Sequence, residues 1–172
     1  MTDATHRDGM SQGDRVVDAL RVYSADYSEL THQLARWLGV HTADAAAFSE
    51  IVYAQESSEP LSPIKLSKRI GLTSGATTSL LNRLEDAGLI VRSREHSDRR
   101  MVTLRSTPDV GRDAAAVFDP VAERVDAMMD EYSPEFLQEV ESLLDHLHTV
   151  LGGAIQSLQG KASKSAAKPA PD

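Results

Sequence analysis

A change of period within residues 73–105 limits what this 172-residue chain can fold into more than anything else in it. Up to Asp86 the apolar residues recur at helical spacing. A wheel of about 100° per residue gathers Ala76, Leu80, Leu84 and Ala87 on one side. Gly75, Thr78, Ser79 and Asn82 fall on the other, with Ser74 at the N-terminal edge and Thr77 near the boundary. Past Gly88 the period shortens. Residues 89–94 and 100–105 are β-prone runs with partial alternation, joined by the charged turn Glu95-His96-Ser97-Asp98-Arg99. The segment predicts a helix that feeds directly into a hairpin, and the rest of the chain must be packed around that join.

The outer face of this helix is chemically unusual. Solvated helix faces ordinarily carry Glu, Lys and Arg, whereas Gly, Ser, Thr and Asn have lower helix propensity. Small hydroxyl and amide side chains let a helix backbone approach a groove closely. They also bond base edges or phosphates, and a helix N-terminus favours an anion. Arg94, Arg99 and Arg100 cluster near the hairpin tip, where a thin ribbon can place arginine in a narrow A·T-rich minor groove. Asp98 is expected to orient a neighbouring arginine, because phosphate would repel its charge.

The charge distribution supports the same partner. The net charge of −8 argues at first against a polyanion. Between Leu61 and Ser106, however, nine basic residues stand against four acidic ones, a local balance of +5, and the remainder of the chain is at −13. A basic module on an acidic body is the footprint of a protein that meets nucleic acid with one face. A solvated charged surface is the plainer alternative.

The flanking segments read as helices. Val16, Leu20, Tyr23, Tyr27, Leu30, Leu34 and Trp37 step alternately by four and three, with Asp14 as the expected N-cap and Gly39 as the stop. Such a helix is about 36 Å long at 1.5 Å per residue, too long for a small domain to cover alone. A second helix is capped by Thr42 and ends near Glu56. Ser62 and Pro63 open a short helix through Ile70, with Ile64, Leu66 and Ile70 available to bury, and Gly71 closes it. This helix, the glycine turn and the helix from Thr73 make a helix-turn-helix. Thr107-Pro108-Asp109 starts another long helix, in which Pro120 predicts a kink or a restart capped by Asp119. Ser133-Pro134-Glu135 opens the last, striped by Leu137, Val140, Leu144, Leu147 and Leu151 and weakened at Gly152-Gly153.

The expected fold class is mainly α with a small β-hairpin wing. Its parts are a flexible N-terminus (1–13), N-terminal helices for dimerisation and lobe packing (14–56), and a winged helix-turn-helix lobe (57–106). C-terminal dimerisation helices (107–158) and a disordered tail (159–172) follow. No cysteine is present, which excludes disulfides and zinc–thiolate sites, and no stretch of about 18 apolar residues could span a bilayer. A cytoplasmic protein without membrane partners is the expectation.

This order of elements resembles the MarR family of bacterial transcriptional regulators over roughly residues 14–151. The most specific part is Asn82-Arg83-Leu84-Glu85-Asp86-Ala87-Gly88-Leu89-Ile90 followed by Asp98-Arg99-Arg100, similar to the family's RLE..GLV.R…D.R run. The resemblance implies a homodimeric, sequence-specific regulator of double-stranded DNA, a repressor on a pseudo-palindrome, with the first and last helices forming the dimer interface. The DNA-binding residues it implies, with the wheel, are Ser74, Gly75, Thr77, Thr78, Ser79, Asn82 and Arg83 from the helix and Arg94, Arg99 and Arg100 from the wing. The resemblance also implies small, often aromatic or phenolic, ligands bound between the dimer helices and the DNA-binding lobe. Here Tyr23, Tyr27, His32 and Trp37 from the first helix and Phe48 and Tyr53 from the second are the effector candidates. At such positions aromatics are also ordinary core. The family usually shows a Leu-Thr pair after the wing, where this chain has Ser106-Thr107, and one extra residue appears before Gly111. A looser or register-shifted joint is expected there.

A winged helix used as a protein–protein scaffold, without DNA binding, is the second reading. Catalysis has little support. The six histidines form no i, i+4 pair, and no phosphate loop, nucleophile elbow or metal-ligand motif is present. No cofactor, metal or catalytic residue is expected.

Overall fold

The computed structural model describes residues 9–93 and 102–166. Its elements are α1 (Gln12–Leu38), α2 (Thr42–Glu56), α3 (Pro63–Ile70), α4 (Ser74–Asp86), β1 (Ile90–Ser93), β2 (Thr103–Ser106), α5 (Pro108–Met129) and α6 (Pro134–Ala166). Contacts divide the chain into two compact units, Met1–Ala115 and Ala116–Asp172.

In the first unit α1 begins three residues earlier than its apolar stripe suggests. Ser11, not Asp14, is the N-cap. The Ser11 hydroxyl accepts from the Asp14 N–H at 3.1 Å while the Asp14 carboxylate accepts from the Ser11 N–H at 3.2 Å. This reciprocal box satisfies two donors that a helix start leaves unpaired, so Asp14 sits inside the helix as the box's acid. Gly39, at φ 68°, closes α1 in the left-handed region. His41 rather than Thr42 holds the cap position of α2, and its side chain makes no capping bond.

The core is organised around α2. Asp44, Ala45, Ala47, Phe48, Ile51 and Ala54 are all buried, which places apolar surface on more than one side of the helix. α1, α3, α4 and β2 all pack against it, and Leu34 and Ala35 of α1, Leu61, Leu66 of α3, the leucines of α4 and Leu104 of β2 are buried as well. Of the three residues available on α3, only Leu66 is fully buried. Ile70 is half-buried and Ile64 is exposed, because eight residues present a single turn to the core.

The two strands pair antiparallel, Ile90 opposite Ser106 and Ser93 opposite Thr103. The Thr107 N–H donates to the Leu89 carbonyl at 2.9 Å, so the alternation of the ladder turns the N–H groups of Leu104 and Ser106 to the opposite edge. Both find partners there. Leu104 donates to the Leu61 carbonyl at 2.8 Å, and Ser106 donates to Gln55 Oε1 of α2 at 3.1 Å. The Thr107 hydroxyl donates to the Gly88 carbonyl at 2.8 Å. The Ser106-Thr107 join is therefore pinned from two sides, not loose. Gly111 fits the same arrangement, since a Cβ there would stand 3.2 Å from Ser106 Oγ.

In the second unit the helical segment passes Pro120 without a restart, since α5 runs unbroken from Pro108 to Met129. The Ser133 hydroxyl accepts from the Phe136 N–H at 3.2 Å and opens α6. Tyr132 and Phe136 stack with ring centroids 5.3 Å apart. α6 runs on through Gly152 and Gly153 to Ala166, eight residues into the segment expected to be disordered. Val121, Val125, Leu144, Leu151, Ile155 and Leu158 of this unit are exposed.

Candidate nucleic-acid interface

α4 is held from behind and open in front. Thr73 caps it by accepting from the Ala76 N–H at 3.3 Å. Leu80, Leu81 and Leu84 are each at most 1% exposed and form its packed side. Ser74, Gly75, Thr78, Ser79 and Asn82 face outward, as the helical wheel places them. The buried side is rotated by part of a residue step relative to that wheel. Ala76 and Ala87 are exposed, while Thr77 and Leu81 turn inward.

Thr77 consequently leaves the set of groove-facing residues. It is 2% exposed, and its hydroxyl donates to the Thr73 carbonyl at 2.9 Å. Buried hydroxyls need such a partner, and this one is met inside the helix. The Thr78 and Ser79 hydroxyls also donate to carbonyls one turn back, at 2.9 and 3.2 Å, but both side chains are exposed. Their oxygens keep acceptor capacity, and each hydroxyl can rotate toward an incoming group.

Arg83 is paired within the lobe. Its Nε and Nη2 donate to the two carboxylate oxygens of Asp44 in α2, at 2.9 and 2.5 Å. The Asp44 side chain is 2% exposed and that of Arg83 is 49% exposed. The hydrogen bond to Asp44 holds the Arg83 guanidinium above its already high ordinary value. A fork-to-fork pair of this kind leaves little free charge for a phosphate. Asn82 is engaged too. Its Oδ1 accepts from Arg92 of β1 at 2.8 Å, and Arg92 also pairs with Glu85 at 3.3 Å, which ties the wing base to α4. The Asn82 amide retains its N–H donors.

Sequence reasoning missed Asp44, Gln55 and Arg92. For Asp44 a signal existed, because a lone carboxylate within Ala43-Asp44-Ala45-Ala46-Ala47-Phe48 has to find a cation once that run is buried. Arg94, Asp98, Arg99 and Arg100 lie outside the described residues.

The effector candidates divide. Phe48 is 1% exposed and belongs to the lobe core. Tyr23, Tyr27, Trp37 and Tyr53 are exposed, with the Tyr23 and Tyr27 ring centroids 6.2 Å apart. Burial, then the nearby charge of Glu50, then Tyr23 push the Tyr27 phenol above its ordinary value. A shallow depression of about 440 Å³ lies at the α1–α2 corner between His32, Arg36 and His41; of the effector candidates it takes in His32 and none of the tyrosines, Trp37 or Phe48. Among the described residues no group of three His, Cys, Asp or Glu could hold a metal ion, and no helix is long and apolar enough to cross a membrane.

A helix-turn-helix whose second helix runs into a two-stranded ribbon is a winged helix-turn-helix. Residues 51–102 match the model of the MarR family. A curated relative, the uncharacterised HTH-type transcriptional regulator YcgE of Bacillus subtilis, is 27% identical over 100 residues, 58% of this chain. The match spans 65% of that relative's length. Among solved structures, Staphylococcus aureus MepR in its DNA-binding conformation superposes with a TM-score of 0.60 at 17% identity, over 79% of this chain and 98% of that one. The transcription regulator MarR of Oenococcus oeni gives 0.59 at 17%, over 78% and 98%. At these identities the two structures share the fold. The relatives so named are transcription regulators.

Proposed function

We propose that the chain is a transcriptional repressor that binds a pseudo-palindromic DNA site as a homodimer in the cytoplasm, and that a small aromatic effector releases it. The observation that carries DNA binding is the face of α4. Five small or polar residues, Ser74, Gly75, Thr78, Ser79 and Asn82, are exposed on a helix whose other side is packed to completion by leucine. Such a face gains nothing from solvent and suits close entry into a major groove. The arginine-rich wing supplies the second contact, and Arg100 or Arg99 reaches the minor groove.

Dimerisation is supported by apolar surface that the single chain leaves open. Val17, Tyr23, Tyr27 and Leu30 on α1 are exposed, as are Leu144, Leu151, Ile155 and Leu158 on α6. Exposed apolar surface of this extent marks an interaction face. The effector would be held by the exposed aromatics of α1 with Tyr53. A ligand that empties the operator almost completely must favour the non-binding geometry by about 5.5 kcal/mol.

Selection of bound fragments from genomic DNA, followed by titration at several salt concentrations, tests the reading. The logarithm of affinity for a selected site should fall linearly with the logarithm of salt, by about 0.9 per phosphate neutralised. Arg100→Ala should weaken binding by about 1–3 kcal/mol. Absence of retained fragments, or affinity flat from low to moderate salt, sinks DNA binding in favour of a protein-contact scaffold. A single-chain mass in sedimentation equilibrium sinks the dimer.

A further inference from the structure

We infer that Asp44 and Arg83 are positioning residues for the reading helix. Asp44 fixes the roll of α4 by gripping Arg83, and so sets the angle at which Ser74, Thr78 and Ser79 meet base edges, with neither partner touching DNA. The inference rests on the DNA-binding reading above.

Three observations carry it. The first is geometric. Leu80, Leu81 and Leu84 hold α4 against the core, but apolar burial is non-directional and tolerates a helix turning about its own axis. The Asp44–Arg83 contact has two parallel bonds, 2.9 and 2.5 Å, each to a different oxygen. Two planar groups joined this way define an orientation as well as a distance. The second is placement. Asp44 lies in the first turn of α2, where the helix dipole favours a carboxylate, and Arg83 lies in the last turn of α4. The grip is therefore at the far end of α4 from Ser74, where a small roll is transmitted along the whole outer face. The third is energetic. With Asp44 buried and Arg83 half exposed, solvent screens the attraction while the buried carboxylate has still lost its hydration, so the pair contributes little net stability and the orientation it imposes is the better account of its presence.

The rival account has Arg83 leaving Asp44 to take a phosphate. The two accounts give opposite signs for one substitution. The Asp44 carboxylate is buried behind α4 and carries no DNA contact of its own. If Asp44 positions, Asp44→Asn weakens specific binding; if it merely restrains Arg83, Asp44→Asn frees a cation and tightens binding.

The experiment uses the full chain, a duplex selected by the wild type, and an unrelated duplex of equal length. Dissociation constants for Asp44→Asn, Arg83→Gln and the double variant are measured across a salt series, with circular dichroism to establish folding. We expect each single variant to lose about tenfold or more on the selected duplex. Binding to the unrelated duplex should stay within about twofold, the salt slope should keep its wild-type value, and the double variant should be no worse than either single, as for residues acting as one unit. Arg83→Lys should restore little, because an ammonium has no fork. Should Asp44→Asn not fold, Asp44→Glu takes its place. It keeps the charge but lengthens the arm, and the same selective loss is expected. Tighter binding by Asp44→Asn, or a salt slope reduced by about 0.9 in Arg83→Gln, overturns the inference. So do folded variants that bind the selected duplex like the wild type. A wild type that binds no duplex refutes the DNA-binding reading itself, a distinct result.

Discussion

The bond between Gln55 and Ser106 can be removed with a single substitution whose cost follows from the ladder. β2 turns the Ser106 N–H away from β1, and Gln55 Oε1 accepts it at 3.1 Å. The Ser106 hydroxyl reaches the same oxygen at 3.4 Å, and the residue as a whole is 8% exposed. Gln55→Ala leaves a nearly buried backbone donor without a partner, which costs about 1–3 kcal/mol. The long hydroxyl contact adds little, so the expected loss is about 2 kcal/mol, a factor of about 30 in the folding equilibrium. For a chain of this size that corresponds to a fall of roughly 4–8 °C in midpoint temperature. Gln55→Glu keeps an acceptor in place and should stay within about 0.5 kcal/mol. Urea unfolding reads the difference, with all variants at one protein concentration because association would otherwise shift the midpoint. Hydrogen exchange of the Ser106 amide gives the local readout and should lose its protection in Gln55→Ala alone. A Gln55→Ala variant as stable as the wild type, with the Ser106 amide still protected, would refute the reasoning.

Other expectations concern single residues. Leu84→Ala should cost about 2–5 kcal/mol in urea unfolding, because its side chain is wholly buried, whereas Ala76→Ser on the exposed side should stay within about 0.5 kcal/mol. Gly88 sits at φ 69°, and Gly88→Ala should destabilise by about 1–2 kcal/mol from backbone strain alone, since a Cβ there meets nothing within 4 Å. Thr78→Ala should leave unfolding unchanged while shifting preference at one base step by about 1–3 kcal/mol, as read by competition between duplexes. At the start of α6, the backbone N–H of Glu135 and the Ser133 hydroxyl hold the Glu135 carboxyl below its ordinary 4.5. Its help to the helix is complete above that value and is lost as pH falls through the lowered one. A carbon NMR titration should find that depressed value, moved upward by Ser133→Ala.

The elements were legible where local rules decide alone. Ser62-Pro63, Gly71, Thr73 and Gly39 stand where capping chemistry puts them, and the change of period after Gly88 marked the ribbon to within a few residues. The outer face of α4 was legible because its residue types are poor choices for a solvated helix. What escaped depends on contacts between distant residues. Arg83 sits in a motif that suggests nucleic acid, and only the packing of α2 against α4 reveals that a carboxylate 39 positions away claims it. Thr77 was placed at a boundary by an ideal wheel, and a fraction of a residue step decided its side. The α1 start differs from the apolar pattern because the stripe begins later than the capping box, and the box, not the stripe, starts the helix.

The polar ties of α2 divide the lobe into two kinds of residue. One side chain from each stretch of that helix reaches a different neighbour: Asp44 to Arg83 of α4, Glu50 to Arg69 of α3 at 3.1 Å, and Gln55 to Ser106 of β2. None of these six residues lies on the outward face formed by Ser74, Gly75, Thr78 and Ser79. The mounting and the text it reads are thus written in separate letters. On the proposed function, substitutions at these four outward residues should change what is recognised while the three ties of α2 stay as they are, whereas Asn82, which holds Arg92 at the wing base, belongs to the frame.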